Sequence, residues 1–337
     1  MPNATIAFSH GPAVVTDFGA DPSGITPSDN AIAAALAAKP KGGEVHFPAG
    51  RYLITRTIRL LSPWLRITGE AKGAVYIQCN TPDISVFGTN LEKRVWNIVF
   101  ERIYVDTKSD VRNITGWDFT DNLNYSVLRD CGATIRGPGS NAICCGHARN
   151  GHGPFYAMIE NFSANCPSKA GTTGIKFGRD SGTGANTHRT ANNWTITGGR
   201  LAGFETGFDC QGSGHTVLGM AFESCGTAIN LGTNHASGKL SFGAIGCNFF
   251  GHYCEGGGPW ARKTHMIVHE LASGNVIMPG YVTGMHLFPE PWRYGGVDYR
   301  EAEGNNQVFL GGWGRNQIYN SLAVQKGDDE SVVLPTG

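Results

Sequence analysis

The chain has 337 residues, a formal net charge of zero and only 16% charged residues. This charge balance gives no indication of the basic surface that nucleic-acid binding requires. No segment reaches the roughly 20 apolar residues of a membrane-spanning helix. We therefore expect neither a nucleic-acid partner nor membrane insertion. The 48 glycines are dispersed, without a collagen period, which favours a fold with many turns.

The start of the chain and its cysteines bear on where the protein is made. The first residues, MPNATIAFSHGPAVV, show no basic stretch followed by an apolar run, so we expect no signal peptide. The nine cysteines form no C-x-x-C pair and are odd in number. We expect nine reduced thiols that pack as small hydrophobic side chains in a protein synthesised in the cytoplasm. Four are predicted to lie at corners of the fold: Cys131, Cys166, Cys225 and Cys247.

A short helix is the first predicted element. Thr26, Pro27 and Asp29 supply an N-cap, a first-turn proline and an acidic residue at the third position. Ile32 and Leu36 then share one face, and a proline and two glycines follow the alanine-rich run. A helix of about three turns is marginal alone, so its apolar face must be covered by the rest of the fold.

After residue 52 the chain is predicted to be a succession of short strands. One phrase recurs in them: Gly or Ala, an apolar residue, any residue, and a second apolar residue. Alternate side chains of a strand face opposite sides, so the second residue of each phrase should point into a common core and the third should point outwards. The phrase occurs as GWDF (116–119), AICC (142–145), GIKF (174–177), GFDC (207–210) and AINL (228–231).

Further strands, such as YSVLRDC (125–131), recur between these phrases. Two or three short strands in each unit of roughly 20 to 30 residues describe one coil of a solenoid. Such coils are stable only when they stack, and the opening helix would cover the exposed end of the first coil. A β-sandwich is the alternative, but it explains neither the recurring phrase nor the lone helix.

Residues 14–70 resemble the N-terminal signature of the pectate-lyase-like, right-handed parallel β-helix superfamily. The resemblance is carried by VTDFGADPSG, the alanine-rich helix, GGEVHFPAGRYLI and LRITGE. It implies an all-β, right-handed parallel β-helix with a short N-terminal capping helix. We place the cap in residues 1–60, the coils in 61–285 and a C-terminal region in 286–337.

Members of this superfamily include phage tailspike depolymerases, polygalacturonases, pectate lyases and uronate epimerases. The resemblance therefore implies an enzyme acting on polysaccharides. We favour a tailspike-like depolymerase, a glycosidase or a polysaccharide lyase, acting on a bacterial surface polysaccharide in the virion or after secretion. Tailspike-like members are commonly homotrimers, although a monomer is equally compatible with the sequence. A bacterial pectin- or uronate-active enzyme and a non-catalytic carbohydrate-binding or virion structural β-helix are the alternatives.

One branch of the superfamily can be tested residue by residue. The segment NITGWDFTDNLNYSVLRDC (113–131) resembles the N-T-D-G-x-D segment of polygalacturonases, and GHG (151–153) resembles their histidine motif. However, Thr115 stands where that branch has a catalytic Asp, and GPGSNAICC (137–145) lacks its Asp-Asp pair. Hydrolysis needs carboxylates, so we do not transfer that active site and keep His152 only as a ligand contact.

The predicted site is centred on the outward column of the recurring phrase, with Glu205 at the turn before Asp209 and Glu223 on the following coil. Adjacent coils are about 4.8 Å apart, so matched outward side chains can reach one sugar. Asp118 and Asp209 lie about three coils apart, which is too far for a catalytic pair, whereas Lys176 and Asp209 are neighbours. A ladder of surface ion pairs would give the same pattern. We predict Lys176, Glu205, Asp209 and Glu223 as catalytic residues, and His152, His215, Asp118 and Arg179 as substrate-binding residues.

No cofactor is expected. The segment THMIVHE (264–270) places two histidines four residues apart beside an acidic residue. It does not match H-E-x-x-H, and its alternation is typical of a strand, so we predict no metal site there.

Overall fold

A computed structural model describes residues 11–89, 95–108, 111–119, 123–145, 155–178, 191–232, 244–260, 264–268, 272–283, 293–294, 297–299, 307–312 and 315–320. Its strands form three long sheets, called here sheets I, II and III. The chain enters the three sheets in turn, and the strands of successive coils pair in parallel. The fold is a right-handed parallel β-helix, as predicted.

The strands are mostly three to five residues long. Sheet I contains Ala13–Val14, Gly43–Phe47, Leu65–Gly69, Val99–Glu101, Val127–Arg129, Met158–Glu160, Thr195–Thr197, Thr216–Leu218, Asn248–Phe250, Val276–Met278, Gln307–Gly312 and Arg315–Asn320. Sheet II contains Ser23–Pro27, Gly50–Ile54, Val75–Cys79, Tyr104–Thr107, Gly132–Thr134, Ser163–Asn165, Arg200–Ala202, Ala221–Glu223, Tyr253–Glu255 and Tyr281–Thr283.

Sheet III carries the recurring phrase. It contains Ile58–Leu60, Ser85–Thr89, Thr115–Asp118, Asn141–Cys145, Thr173–Phe177, Thr206–Cys210, Thr227–Leu231, Thr264–Val268, Arg293–Tyr294 and Val297–Tyr299. Two small parallel pairs join Val95–Trp96 to Leu123–Asn124 and Gly212–Ser213 to Ala244–Ile245.

The corner between sheets I and II repeats almost without change. From the coil of Val99–Glu101 onwards, two residues connect the strands. Where the first of the two is Asp130 or Gly198, its backbone is left-handed, with φ of 52° and 62°. The N–H of Asp130 donates to the carbonyl of Glu160 on the next coil, at 3.0 Å. Glycine adopts this conformation at no steric cost, which explains part of the high glycine content.

Sheet III confirms the predicted inward column. Its strands pair in register through five fully buried residues: Trp117, Ile143, Ile175, Phe208 and Ile229. The small residue that opens the phrase has a physical cause. A Cβ at Gly116 or Gly207 would lie 2.6 Å from a carbonyl oxygen of the next coil, so a larger side chain would push the coils apart.

The helix covers the start of the β-helix, with Ile32 and Leu36 buried in the core as predicted. Its predicted start is wrong. The helix spans Asp29–Ala37 with Ser28 as the N-cap residue, and Pro27 ends a strand of sheet II. The extended backbone of that strand pairs with Gly50–Ile54, and this pairing keeps Thr26 and Pro27 out of the helix.

Asp29 has a different role from the predicted one. Its carboxylate accepts hydrogen bonds from the backbone N–H groups of Thr55 and Arg56 at 2.8 and 3.0 Å. It therefore ties the helix to the corner after Gly50–Ile54. The first complete coil, residues 43–60, lies within the segment assigned to the cap, and the domain boundaries remain predictions.

All nine cysteines are free and buried, in agreement with their predicted packing. Cys131, Cys225 and Cys247 each follow a residue with left-handed backbone at a corner of the coil. Among the described strands, antiparallel pairing occurs at Arg293–Tyr294 with Val297–Tyr299, and between Gln307–Gly312 and Arg315–Asn320. In the described part of the chain, no helix has the length and apolar character needed to cross a membrane.

Candidate functional site

The outward column of sheet III has the predicted membership. Asp118 pairs with Cys144, Cys144 with Lys176, Lys176 with Asp209, and Asp209 with Asn230. Asp118 is thus three coils from Asp209, while Lys176 is on the adjacent coil. The structure therefore brings Lys176 and Asp209 together.

Asp209 is the unusual member of this column. Its side chain faces away from the apolar core, yet only 8% of the residue is exposed. Burial raises its pKa to about 6, against the opposing effects of Lys176 and of a hydrogen bond from Asn230. The Nδ2 of Asn230 donates to Asp209 Oδ1 at 3.0 Å. At neutral pH Asp209 is therefore mostly ionised and a stronger base than an ordinary carboxylate.

Glu205 lies at the corner before this strand and is exposed. Its carboxylate accepts a hydrogen bond from the backbone N–H of Gly171, and its own N–H donates to Thr172 Oγ1 at 3.2 Å. Both contacts are with the corner of the preceding coil. Glu205 therefore links the corners of two adjacent coils. It precedes Asp209 by four residues in the sequence.

Glu223 lies on a different sheet from Asp209. It ends the sheet II strand Ala221–Glu223, where its Oε2 accepts hydrogen bonds from Arg200 Nε and Nη2 at 2.7 and 2.6 Å. Glu255 pairs with it in register on the next coil. Glu223 is therefore held in an ion pair with Arg200 on sheet II.

The predicted substrate-binding residues have varied positions. Asp118 is partly buried and accepts a hydrogen bond from the Ser85 hydroxyl at 2.9 Å. His215 is fully buried, and this burial lowers its pKa to about 4. The proposed substrate contact of His215 is wrong because the side chain points into the core. His152 and Arg179 lie outside the described residues.

Asn230 is the residue that the sequence reasoning missed. The alignment of GFDC with AINL already placed it beside Asp209 in the outward column, but a neutral amide was not counted as a site residue. In the structure the Asn230 amide donates to Asp209 Oδ1 and so fixes the orientation of this carboxylate. The signal was therefore available in the spacing of the repeat.

Sheet III is also bordered by the most variable connections. The return to sheet I takes residues 211–215 after Cys210, but residues 178–194 after Phe177 and residues 232–247 after Leu231. Connections that vary in length on a rigid scaffold commonly carry binding residues. The column with Lys176 and Asp209 therefore lies where a ligand-binding surface is expected.

Comparison with known proteins assigns the family. Residues 13–257 match the family described as rhamnogalacturonase A/epimerase, pectate lyase-like. The chain belongs to this family. No curated protein matches the sequence. Members of this family share the parallel β-helix observed here, which agrees with the resemblance of residues 14–70.

Solved structures with the same fold differ in kind. The tailspike protein of Acinetobacter baumannii phage AM24 is 14% identical, with a TM-score of 0.59 over 88% of this chain and 50% of its own. PfbA, a surface adhesin of Streptococcus pneumoniae, is 13% identical, with a TM-score of 0.58 over 88% of this chain and 79% of its own.

A third similar structure is a 1,3-α-1,4-β-D-galactose-4-sulfate-3,6-anhydro-D-galactose-2-sulfate 4-galactohydrolase. It is 15% identical, with a TM-score of 0.50 over 92% of this chain and 64% of its own. The chain thus spans less than two thirds of the tailspike and of the galactohydrolase. At these identities the likeness establishes the fold.

Proposed function

We propose that the protein is a tailspike-like depolymerase that cleaves an acidic polysaccharide of a bacterial surface. The observation that carries this proposal is Asp209, a carboxylate with a pKa of about 6, in register with Lys176 on the outer face of sheet III. Groups with a strongly shifted pKa, flanked by a specific charge, are concentrated at functional sites. The family and the tailspike with the same fold support the choice of substrate class.

The energetics of Asp209 favour a functional role. A carboxylate whose pKa rises by about two units on folding destabilises the folded state at neutral pH by about 3 kcal/mol. An Asn or Thr at this position would avoid that loss. Residues that reduce stability are characteristic of sites selected for activity, whereas a simple surface ladder gives no reason to bury the carboxylate.

The geometry suggests a role for each group. Lys176 would neutralise the carboxylate of a uronate, which makes the proton on the adjacent carbon more acidic. Asp209 would accept that proton, and the amide of Asn230 would hold Asp209 in position. Loss of the proton followed by departure of the glycosidic oxygen, which takes up a proton from solvent, gives an unsaturated sugar and cleaves the chain.

A hydrolytic mechanism would use a second carboxylate at about 5 to 10 Å. Glu205 and Glu223 remain candidates for it, but the first is bound to Gly171 and the second to Arg200. The described neighbours of Asp209 in its column are Lys176 and Asn230. We therefore rank proton abstraction above hydrolysis.

The proposal is tested on a panel of bacterial capsular polysaccharides, by assaying both reducing ends and unsaturated uronates. We expect unsaturated products, a rate that rises with pH through about 6, and a loss of at least about 100-fold in Asp209→Asn. Glu223→Gln is the matched control and should retain its rate. Full activity in Asp209→Asn would refute the assignment of the base, and a reducing-end signal without unsaturation would favour hydrolysis.

Binding without cleavage is a second candidate function, favoured by a pair of exposed rings. Tyr125 and Tyr156 are stacked with centroids 5.3 Å apart and are more than half exposed. Both have left-handed backbone, with φ of 56° and 57°, which is unfavourable for bulky residues. Flat exposed rings can stack on sugars, so Tyr125→Ala with Tyr156→Ala should weaken polysaccharide binding if this function is correct.

Assembly remains a separate proposal. If the protein acts as a tailspike-like trimer, light scattering should give about three times the mass of the 36.0 kDa chain. A particle of one chain would remove the trimer while leaving the chemistry of Asp209 unaffected.

A further inference from the structure

Three interior positions of one coil carry side chains that can bind metal. In the coil of residues 248–268 these are His252, Cys254 and His265, which are completely buried. One ligand atom from each lies within 4.8 Å of the other two. The Nε2 atoms of the two histidines are 2.9 Å apart.

The same positions are apolar in the neighbouring coils. His252 is the second residue of the corner between sheets I and II, Cys254 is the centre of a sheet II strand, and His265 replaces the small residue that opens the recurring phrase. Packing alone therefore gives no reason for two imidazoles here. The equivalent residues are Met220, Phe222 and Ala228 one coil earlier, and Gly199, Leu201 and Gly207 two coils earlier.

The surroundings make this cluster unfavourable without a further partner. Phe222 and Phe249 lie edge-on to the His252 ring, with centroids 6.3 and 6.4 Å away. The Nδ1 of His252 has no hydrogen-bond partner among the described residues. A polar nitrogen buried among aromatic rings without a hydrogen-bond partner is unfavourable.

A second cluster, of two cysteines and one histidine, behaves differently. Ligand atoms of Cys210, His215 and Cys247 also lie within 4.8 Å of one another. However, His215 Nδ1 accepts a hydrogen bond from the Trp194 N–H at 3.3 Å, and its Nε2 donates to the Gln211 carbonyl at 3.2 Å. Both ring nitrogens are therefore used by the protein, which makes this cluster a natural control.

We propose that His252, Cys254 and His265 bind one thiophilic d¹⁰ metal ion, Zn²⁺ or Cu⁺, inside the β-helix. Thiolate and neutral imidazole are the ligands that such ions prefer. Bonds of about 2.0 to 2.1 Å at the tetrahedral angle place two ligand nitrogens about 3.3 Å apart. The two rings thus need to separate by only a few tenths of an ångström.

Binding is a simple exchange. The Cys254 thiol loses its proton to solvent and its sulfur bonds to the ion. The ring that donates the hydrogen bond between the two Nε2 atoms carries its proton on Nδ1 instead of Nε2 in the metal-bound form, so that both Nε2 lone pairs bind the ion and two metal–nitrogen bonds replace the hydrogen bond between the rings. The site is closed, so the ion would enter as the chain folds. The proposed site contains one histidine of the THMIVHE segment, His265. Its other histidine, His252, lies at the corner between sheets I and II. His269 lies outside the described residues.

The test refolds the full chain with Zn²⁺, or with Cu⁺ under anaerobic reducing conditions, and measures metal per chain after gel filtration. We expect one ion per chain and a higher Tm than after refolding with a chelator. The triple variant His252→Met, Cys254→Phe, His265→Ala restores the residues of the preceding coil. It should bind no ion, and its Tm should be independent of the chelator.

Two single-residue variants test the site without depending on the folding of the triple variant. Cys254→Ala removes one ligand with a small cavity and should lose the ion even if the triple variant does not fold. Cys247→Ala, in the control cluster, should keep it. Wild-type protein that binds neither ion, or a Cys254→Ala variant that still binds one per chain, would overturn the proposal. Comparison of the two ions identifies which one is held.

Discussion

Two rows of side chains run along sheet III, one residue apart in the sequence. The inner row, from Trp117 to Ile229, is apolar and fully buried throughout. The outer row contains an acid, a thiol, a cation, a second acid and an amide. Packing restricts the inner row at every coil, while the outer row is free to vary. The burial of Asp209 in the outer row is therefore best explained by function.

The largest effect is expected in the inner row. Phe208 is completely buried and packs edge-on against Phe177, with centroids 5.0 Å apart. Phe208→Ala should lower the free energy of unfolding by about 3 to 5 kcal/mol, because it removes apolar area and leaves a cavity. Urea denaturation followed by circular dichroism measures this loss, and a loss below about 1 kcal/mol would contradict the description of the core.

The end of the core should be nearly as sensitive. Leu36 is 7% exposed and belongs to the helix that covers the first coil. Leu36→Asp should cost about 3 kcal/mol, since it places an unpaired charge against apolar side chains. Leu36→Met is the conservative control. An unchanged melting temperature in Leu36→Asp would show that the helix does not seal the fold.

The outer row should respond to pH. The folded-state pKa of Asp209 is about 6, above the ordinary value of 3.8. Its contribution to stability is therefore fully present below about pH 4 and is lost as the pH rises through 6, by about 3 kcal/mol in total.

Asp209→Asn removes this titration, so the variant should gain stability relative to wild type between pH 4 and pH 7. Denaturation midpoints of both proteins across this range measure the difference. If the stabilities of the two proteins show the same pH dependence, folding does not shift the pKa of Asp209.

The smallest effect is expected on sheet II. The ion pair between Glu223 and Arg200 is partly exposed, with 28% and 42% of the side chains accessible. Glu223→Gln should change stability by about 1 kcal/mol or less. A loss of activity comparable to that of Asp209→Asn would move the site to sheet II and reverse the ranking of the two carboxylates.

The sequence predicted the sheet III register because the recurring phrase has a fixed internal spacing. The positions of Lys176 and Asp209 follow directly from it. Glu223 could not be placed in the same way, because the corner between its strand and sheet III varies in length among the coils. When the length of the corner is unknown, the sequence does not show to which sheet Glu223 belongs or in which direction its side chain points.

The sequence pattern does not show whether a histidine of this chain lies inside the β-helix or on its surface. His215 occupies an inward corner position that holds Ser126, Ala157 and Trp194 in earlier coils, so no residue type marks it as interior. The partners of His265 are likewise separated from it by a corner and a strand. The helix starts later than local capping preferences predict, because Ser23–Pro27 pairs with another strand.

The nine buried thiols make the chemical reactivity of the chain depend on its history. Burial raises the pKa of Cys131 and Cys225 to about 12, and only a thiolate attacks oxidants and alkylating reagents at a useful rate. A newly made chain exposes all nine thiols, whereas the finished β-helix exposes none of them. A chain that folds before it meets an oxidant is protected afterwards, and one that meets it earlier can be locked into wrong crosslinks. The rate at which each thiol is labelled would then report how often the coil that contains it opens.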